Sequence, residues 1–347
     1  MYYKIFDKED WINGLHKIEG YKVFVPVKEN YYHIFLPIDK DITPDFSFHN
    51  TKLSPKSIIY PQSERMFEFV VDPEQPDAYV LKEVPKEFPS QAVVGIRPCD
   101  AHAFQIVKVN FDNPEYKDPW WTKRYEATTF IGLGCNRPRS TCFCSKVGGG
   151  PFNEKGLDAI MYDLGDRFLI KVITDKGGDF IGGIKGGKDP QDRDIKEAES
   201  IKEEAEKEIN SNININMNLQ ELAEKPILAV FDAPIWDKVS FPCINCGICT
   251  YLCPTCWCFD IQDEVYKKNG DRIRNWDSCM FPIFTLHGSG HNPRAEKFRR
   301  VRQRFMHKLK YYVEKYGDGV QCSGCGRCVR YCPTNMDIRE ICNIMAK

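Results

Sequence analysis

The sequence predicts an α+β protein in two parts: a sheet-rich N-terminal α/β domain, then a C-terminal domain of helices and loops organised around cysteine. Three observations predict it. The 347 residues suit two domains of ordinary size. Apolar runs rich in β-branched and aromatic residues, each closed by Pro, Asn, Asp or Gly, crowd the first half. Of 16 cysteines, none precedes Cys99, four lie between Cys99 and Cys144, and twelve lie between Cys243 and Cys342.

Taken in order, Asp7 to Ile18 and Asp100 to Val109 have helical spacing. Tyr21 to Val27, Tyr31 to Leu36, Met66 to Val71 and Ala92 to Ile96 read as strands. These elements define an N-terminal mixed domain over 1–175. Gly177 to Gly187 carries six glycines, and Asp189 to Ile209 is a charged run with a poor apolar stripe. Residues 176–225 are therefore expected to be an insertion or linker, either a solvated helix or a mobile connector. Pro226 to Phe231 reads as a strand added back to the first sheet, at the start of a cysteine-centred domain over 226–347. Within that domain Arg294 to Tyr316 predicts one long helix with nine Lys and Arg against two Glu. Its basic face is read as solvated, with a docking or cofactor-facing role as the alternative.

With 28% charged and 42% hydrophobic residues the chain is a globular protein, not a disordered one. No apolar run approaches the roughly 20 residues of a spanning helix, and the start MYYKIFDKED has no secretory h-region. A cytoplasmic location without membrane insertion is the expectation. Net charge is -1, but residues 240–347 hold 17 Lys and Arg against 10 Asp and Glu, a net +7 that leaves -8 in 1–239. Overall neutrality gives no reason to expect a nucleic-acid partner.

The chemistry lies in a repeated pattern. Cys243-x2-Cys246-x2-Cys249-x3-Cys253-Pro254 recurs as Cys322-x2-Cys325-x2-Cys328-x3-Cys332-Pro333. This is the run of bacterial two-cluster ferredoxins, in which the fourth cysteine of each copy serves the other cluster. One 4Fe-4S cluster is then assigned to Cys243, Cys246, Cys249 and Cys332, and the other to Cys322, Cys325, Cys328 and Cys253. Structural zinc uses separated C-x2-C pairs and does not call for the third and fourth cysteine or the proline. Four thiolates close the coordination of each cluster, so the expected job is one-electron relay.

Cys99, Cys135, Cys142 and Cys144 are the right number for a third 4Fe-4S cluster but not at a standard spacing. A third cluster, structural thiols and zinc all stay open. Cys256, Cys258 and Cys279 are read as neighbours packed around the clusters, with Cys256 and Cys258 as alternative ligands; Cys342 is read as packed. Gly182 to Lys188 has the G-x4-G-K frame, but Asp189 stands where the Mg²⁺-binding Ser or Thr would be. No G-x-G-x-x-G opens a helix, and His287 and His291 are separated by helix-breaking glycines. No nucleotide site and no catalytic residue is assigned.

These segments together resemble the iron-sulfur A subunit of anaerobic sulfite reductase and the similar beta subunit of soluble NiFe sulfhydrogenases. The residues that carry the resemblance are SPKSIIYPQSERMFEF (Ser54 to Phe69), VGIRPCDAHAF (Val94 to Phe104), GLGCNRPRSTCFCSKVGGGP (Gly132 to Pro151), CINCGICTYLCPTCWCFDIQDE (Cys243 to Glu264), RNWDSC (Arg274 to Cys279), RRVRQRFMHK (Arg299 to Lys308) and CSGCGRC (Cys322 to Cys328). The resemblance implies an electron-transfer subunit of a soluble oxidoreductase complex. Its partners would be a reductase-like subunit carrying FAD and using NAD(P)H, and a terminal subunit with sirohaem for sulfite or NiFe for hydrogen. The alternative makes the N-terminal cysteine site itself a catalytic or substrate-binding iron-sulfur centre. A third reading, a nucleic-acid repair or regulatory iron-sulfur protein, leans only on the basic helix.

Overall fold

A computed structural model describes residues 2–212, 216–317 and 319–347. Its larger sheet joins β1 (Tyr2–Asp7), β2 (Lys22–Glu29), β3 (Tyr32–Pro37), β6 (Gln91–Ile96), β7 (Thr128–Leu133), β8 (Ala159–Asp163) and β9 (Arg167–Val172) in the order β1-β9-β8-β7-β6-β2-β3. The four central strands β2, β6, β7 and β8 run parallel, with antiparallel strands at both sides. Both faces are covered. Val93, Phe130, Ile160 and Leu169 pack into one core, and Ala92, Val94, Ile131, Leu133 and Ile170 into the other. Strands β6 and β7 are buried along their whole length, as expected of central strands in a parallel sheet.

A smaller antiparallel sheet orders β10 (Phe259–Tyr266), β11 (Asn269–Trp276), β4 (Ser63–Val70) and β5 (Lys82–Glu83). Here the two halves of the chain meet. The hairpin β10–β11 comes from the cysteine-rich half, yet β11 pairs with β4 from Asn269↔Val70 to Asn275↔Ser63. A buried ion pair, Arg274 Nη2 to Glu64 Oε2 at 2.5 Å, ties the two strands. The third core is built from the C-terminal helices and contains Trp236, Met280, Val301, Phe305, Leu309 and Ile341.

The strands and helices expected in the first 175 residues form, but three expectations change. The 176–225 segment is no free linker. Helix Asp175–Gly182 buries Phe180 and Ile181 in a core of the large sheet, and Lys188 pairs by backbone with Ile5. Helix Asp192–Asn212 lays Ala198 and Ala205 on the opposite core, with Ile195 and Ile201 packed beside them. Two of its inward-facing apolar residues are alanines, so its apolar stripe is narrow and the charged run hides it. The expected strand at 226–231 is a helix, Ile227–Phe231, with Val230 inside. Its Phe231 ring lies 3.5 Å from the Arg302 guanidinium and Trp236 Nε1 donates to Val230 O at 2.8 Å, so side-chain docking on the third core replaces sheet pairing. The helix expected from Arg294 starts at Lys297, runs α-helical to Met306, widens to π-helix over His307–Tyr311 and closes as Tyr312–Tyr316. No helix among the described residues is long and apolar enough to cross a membrane.

Candidate metal centres

The first repeat folds as a tight loop, Cys243 to Cys249, that leads into the short helix Ile248–Tyr251. Cys243, Cys246 and Cys249 line one cavity together with Cys332, the fourth cysteine of the other repeat. Cys332 lies in a loop that follows helix Arg327–Arg330, with Pro333 and Thr334 on the cavity wall. Backbone N–H groups point at the sulfurs: Asn245 N to Cys243 Sγ at 3.4 Å and Met336 N to Cys332 Sγ at 3.2 Å. Such donors favour thiolate over thiol. Met280, Val301 and Phe305 close the remaining wall.

The second ligand set, Cys322, Cys325 and Cys328 with Cys253 of the first repeat, is deeper. Cys253, Cys322 and Cys325 are buried, and Cys253 interacts electrostatically with Cys322, Cys325 and Cys328. Burial pushes the Cys328 thiol up to about 12, while a hydrogen bond from Cys256 holds Cys253 well below the usual thiol range despite its burial. Thr255 Oγ1 lies 3.2 Å from Cys253 Sγ, and Gly324 N donates to Cys322 Sγ at 3.5 Å.

The N-terminal cysteines converge because of the parallel sheet. Ile96 of β6 is level with Gly132 of β7, and Cys99 and Cys135 each follow three residues beyond, at the carboxyl ends of adjacent parallel strands. That is where open α/β sheets bind ligands. Cys142 and Cys144 come from the loop that follows, and all four line a cavity with Arg97, Gly324 and Cys325. Arg97 is buried and spends its guanidinium on the carbonyls of Leu133, Gly134 and Phe48. The cavity wall is thus shared with the second repeat. A Cβ on Gly324 would lie 2.4 Å from Cys144 N, and one on Gly326 2.5 Å from Thr141 O, and both glycines have positive φ. Only glycine permits this approach. Phe143 N donates to Gly324 O at 2.9 Å, and Asp100 on helix Pro98–Phe111 makes a fully buried two-bond pair with Arg327 at 2.5 and 2.8 Å.

Cys256, Cys258 and Cys279 lie close enough to interact electrostatically with one another, and Cys256 with Cys253. Cys342 lies apart, in the core face of helix Ile338–Ala346.

Three buried cations, which sequence reasoning did not single out as site residues, lie among these thiols: Lys56, Arg304 and Lys308. Arg304 lines the first cavity and is held charged, against its burial, by Cys249, Cys328, Cys256 and Cys253. Lys308, one turn on, is likewise held charged against burial by Cys253, Cys256 and Cys322, and donates to Thr255 Oγ1 at 2.7 Å. Lys56 donates to Cys256 O at 3.1 Å and stands 4.0 Å from the Trp276 ring centre, with its pKa brought down to about 8 by burial. Among the described residues none of the three has a carboxylate partner. An unpaired buried charge costs several kcal/mol, so these sites call for anions that the amino acids supply only as thiolates. A cubane held by four thiolates is net anionic and fits that demand. The basic face of the 297–316 helix is therefore partly turned inward, correcting the solvated reading. The signal was present as Arg304 and Lys308 at i, i+4 inside RRVRQRFMHK. Among the described residues no three His, Cys, Asp or Glu side chains are close enough to hold a single metal ion.

Residues 242–336 match the 4Fe-4S dicluster domain family, so this segment is a two-cluster iron-sulfur domain. Along 326 residues, 91% of this chain and 90% of the relative, the sequence is 29% identical to sulfhydrogenase 2 subunit beta of Pyrococcus furiosus. The comparison returns the family to which the sequence segments pointed. No solved structure matches.

Proposed function

We propose that the chain is an iron-sulfur electron-transfer subunit of a sulfhydrogenase-like oxidoreductase complex. It relays single electrons between a subunit with FAD and NAD(P)H and a terminal subunit of the NiFe hydrogenase or sulfite reductase type. One observation carries the reading: Cys332 stands 83 positions beyond Cys249, yet lines one cavity with Cys243, Cys246 and Cys249. That exchange of fourth cysteines is the signature of paired relay clusters. Cys243, Cys246, Cys249 and Cys332 would hold one cluster, and Cys322, Cys325, Cys328 and Cys253 the second. Cys99, Cys135, Cys142 and Cys144 would hold a third, supported by the cavity that all four line and by its shared wall at Cys325. When bound, the clusters supply one-electron oxidation and reduction. The chain's own residues hold them, exclude water and set the surrounding charge.

Iron and acid-labile sulfide counts test the third site. About twelve irons per chain are expected, falling to about eight in Cys142→Ser and unchanged in Cys342→Ser; eight in the wild type would remove the third cluster. The anaerobically purified chain should be reduced by dithionite yet oxidise no NAD(P)H, while the co-purified complex does. Unaided turnover would overturn the relay reading. It would favour the alternative, a substrate site at the N-terminal centre, which has one observation behind it: an open polar cavity adjoins Cys135 and is lined by His49, Arg97 and Arg137.

A further inference from the structure

Among the described residues one cysteine is exposed, Cys246, and it belongs to the first ligand set. The surface beside it is apolar. Phe241 is 82% exposed, Ile244 63% and Ile283 71%, and Ile248 and Leu286 are exposed as well. These side chains come from loops that touch. Asn245 Nδ2 donates to Met280 O at 3.0 Å, and a Cβ on Gly247 would lie 2.9 Å from the Phe281 ring, so the ligand loop packs on the turn Pro282–Thr285 and its flanks. The turn is braced in its own right, because Asn292 Nδ2 donates to Pro282 O at 2.6 Å and Asn292 Oδ1 accepts from Thr285 Oγ1 at 2.8 Å. Phe241 is fixed by Lys297 Nζ, which donates to its carbonyl at 2.9 Å. A single exposed apolar side chain needs no explanation, but a group of them on braced loops beside one metal ligand marks an interaction surface.

The charge around this patch is mainly positive. Residues 238–259, 278–295 and 328–336 contain no Asp or Glu. Lys238 and Lys297 are exposed at its margin, the first one turn before Phe241 and the second 5.8 Å from the Phe241 ring centre. Of the acids that border these segments, Glu296 is taken by Arg299 at 2.6 Å and Asp277 is half-buried, which leaves Asp237 in the open beside Lys238.

We infer that this face is the docking surface for a second redox subunit, one that presents an apolar centre rimmed by Asp and Glu and brings its own cofactor up to Cys246. The inference rests on the proposed relay function and adds which ligand set opens to a partner. Cys246 of the first set reaches the surface, whereas Cys253, Cys322 and Cys325 of the second are buried. One electron crosses in either direction, with no bond formed or broken, and it crosses where two cofactors approach closely. Apolar burial at the centre gives such a contact affinity, while complementary charge at the rim sets orientation and rate of encounter. A second copy of this chain would set Lys against Lys, which disfavours it as the occupant.

The test compares the iron-loaded chain alone with the intact co-purified complex. In hydrogen–deuterium exchange the amides of 241–248 and 281–286 should slow by about tenfold or more in the complex. Zero-length carbodiimide coupling should join Lys238 or Lys297 to an Asp or Glu of a redox subunit. Ile283→Glu combined with Leu286→Glu should weaken association with that subunit by about tenfold or more, with iron content and reduction by dithionite as in wild type; Ile283→Val combined with Leu286→Ile should restore it. Unchanged exchange at both segments would overturn the proposal, as would coupling only to a second copy of this chain, or a Glu variant that associates as tightly as wild type. A complex in which the iron of this chain is neither reduced nor reoxidised during turnover would instead sink the relay reading, wherever the subunits dock.

Discussion

Replacing Asp100 with alanine should destabilise the protein by about 3–5 kcal/mol, because it leaves the Arg327 guanidinium buried without its partner. Asp100 and Arg327 are 1% and 0% exposed, so neither charge has recourse to water. Arg327 also donates from Nε to Thr51 O at 2.8 Å, so its head cannot swing out without breaking that bond. The pair holds helix Pro98–Phe111 to helix Arg327–Arg330 and sets how the N-terminal cysteines face Cys325. Denaturant unfolding of wild type and variant measures the cost. Besides Asp100, Cys325 and Cys99 also help keep Arg327 charged, so the loss should be larger in chain stripped of iron than in the loaded protein. A cost below about 1 kcal/mol in both forms would show that the pair contributes no more than a surface ion pair.

The second large effect is electrostatic. Arg304→Gln should lower the reduction potential of the clusters by about 60–120 mV, one to two tenfold steps for a one-electron couple. Arg304 is the buried cation between the two ligand sets, acting on Cys249 of the first and on Cys328 and Cys253 of the second. Adding an electron adds negative charge, and a fixed positive charge in a low-dielectric site favours it. Glutamine retains much of the side-chain length and removes the charge. Potentiometric EPR on loaded chain reads the shift, with Lys310→Met as the control. Lys310 is also buried on this helix, but it pairs with Glu314 at 2.5 Å and donates to Ala223 O, away from the cysteines. Equal shifts in both variants would remove the specific role given to Arg304.

Where local chemistry decides, the sequence was legible. The two C-x2-C-x2-C-x3-C-P runs have one common use, and the exchange of Cys332 into the first cavity is in the spacing before any fold is known. Strands such as Ala92 to Ile96 are apolar enough to be read directly. The helices at 192–212 and 227–231 were less so. In the first, two alanines supply much of the buried face and barely register against the twelve charged residues of a 21-residue helix rich in Glu and Lys. In the second, an apolar run of five residues fits strand or helix equally, and only its docking on Arg302 and Trp236 decides.

By itself the sequence determined the class of chemistry, the eight expected ferredoxin-type ligands and the order of the parts, because these depend on which residues are near one another along the chain. Tertiary structure decided what depends on nearness in space. It gathered Cys99, Cys135, Cys142 and Cys144 at the ends of two parallel strands. It also turned Lys56, Arg304 and Lys308 inward among thiols instead of outward to water. The physical reason is the same in each case. Side chains separated by tens or hundreds of positions are aligned by backbone hydrogen bonds and close packing, while the cost of burying an unpaired charge decides which groups can share the interior.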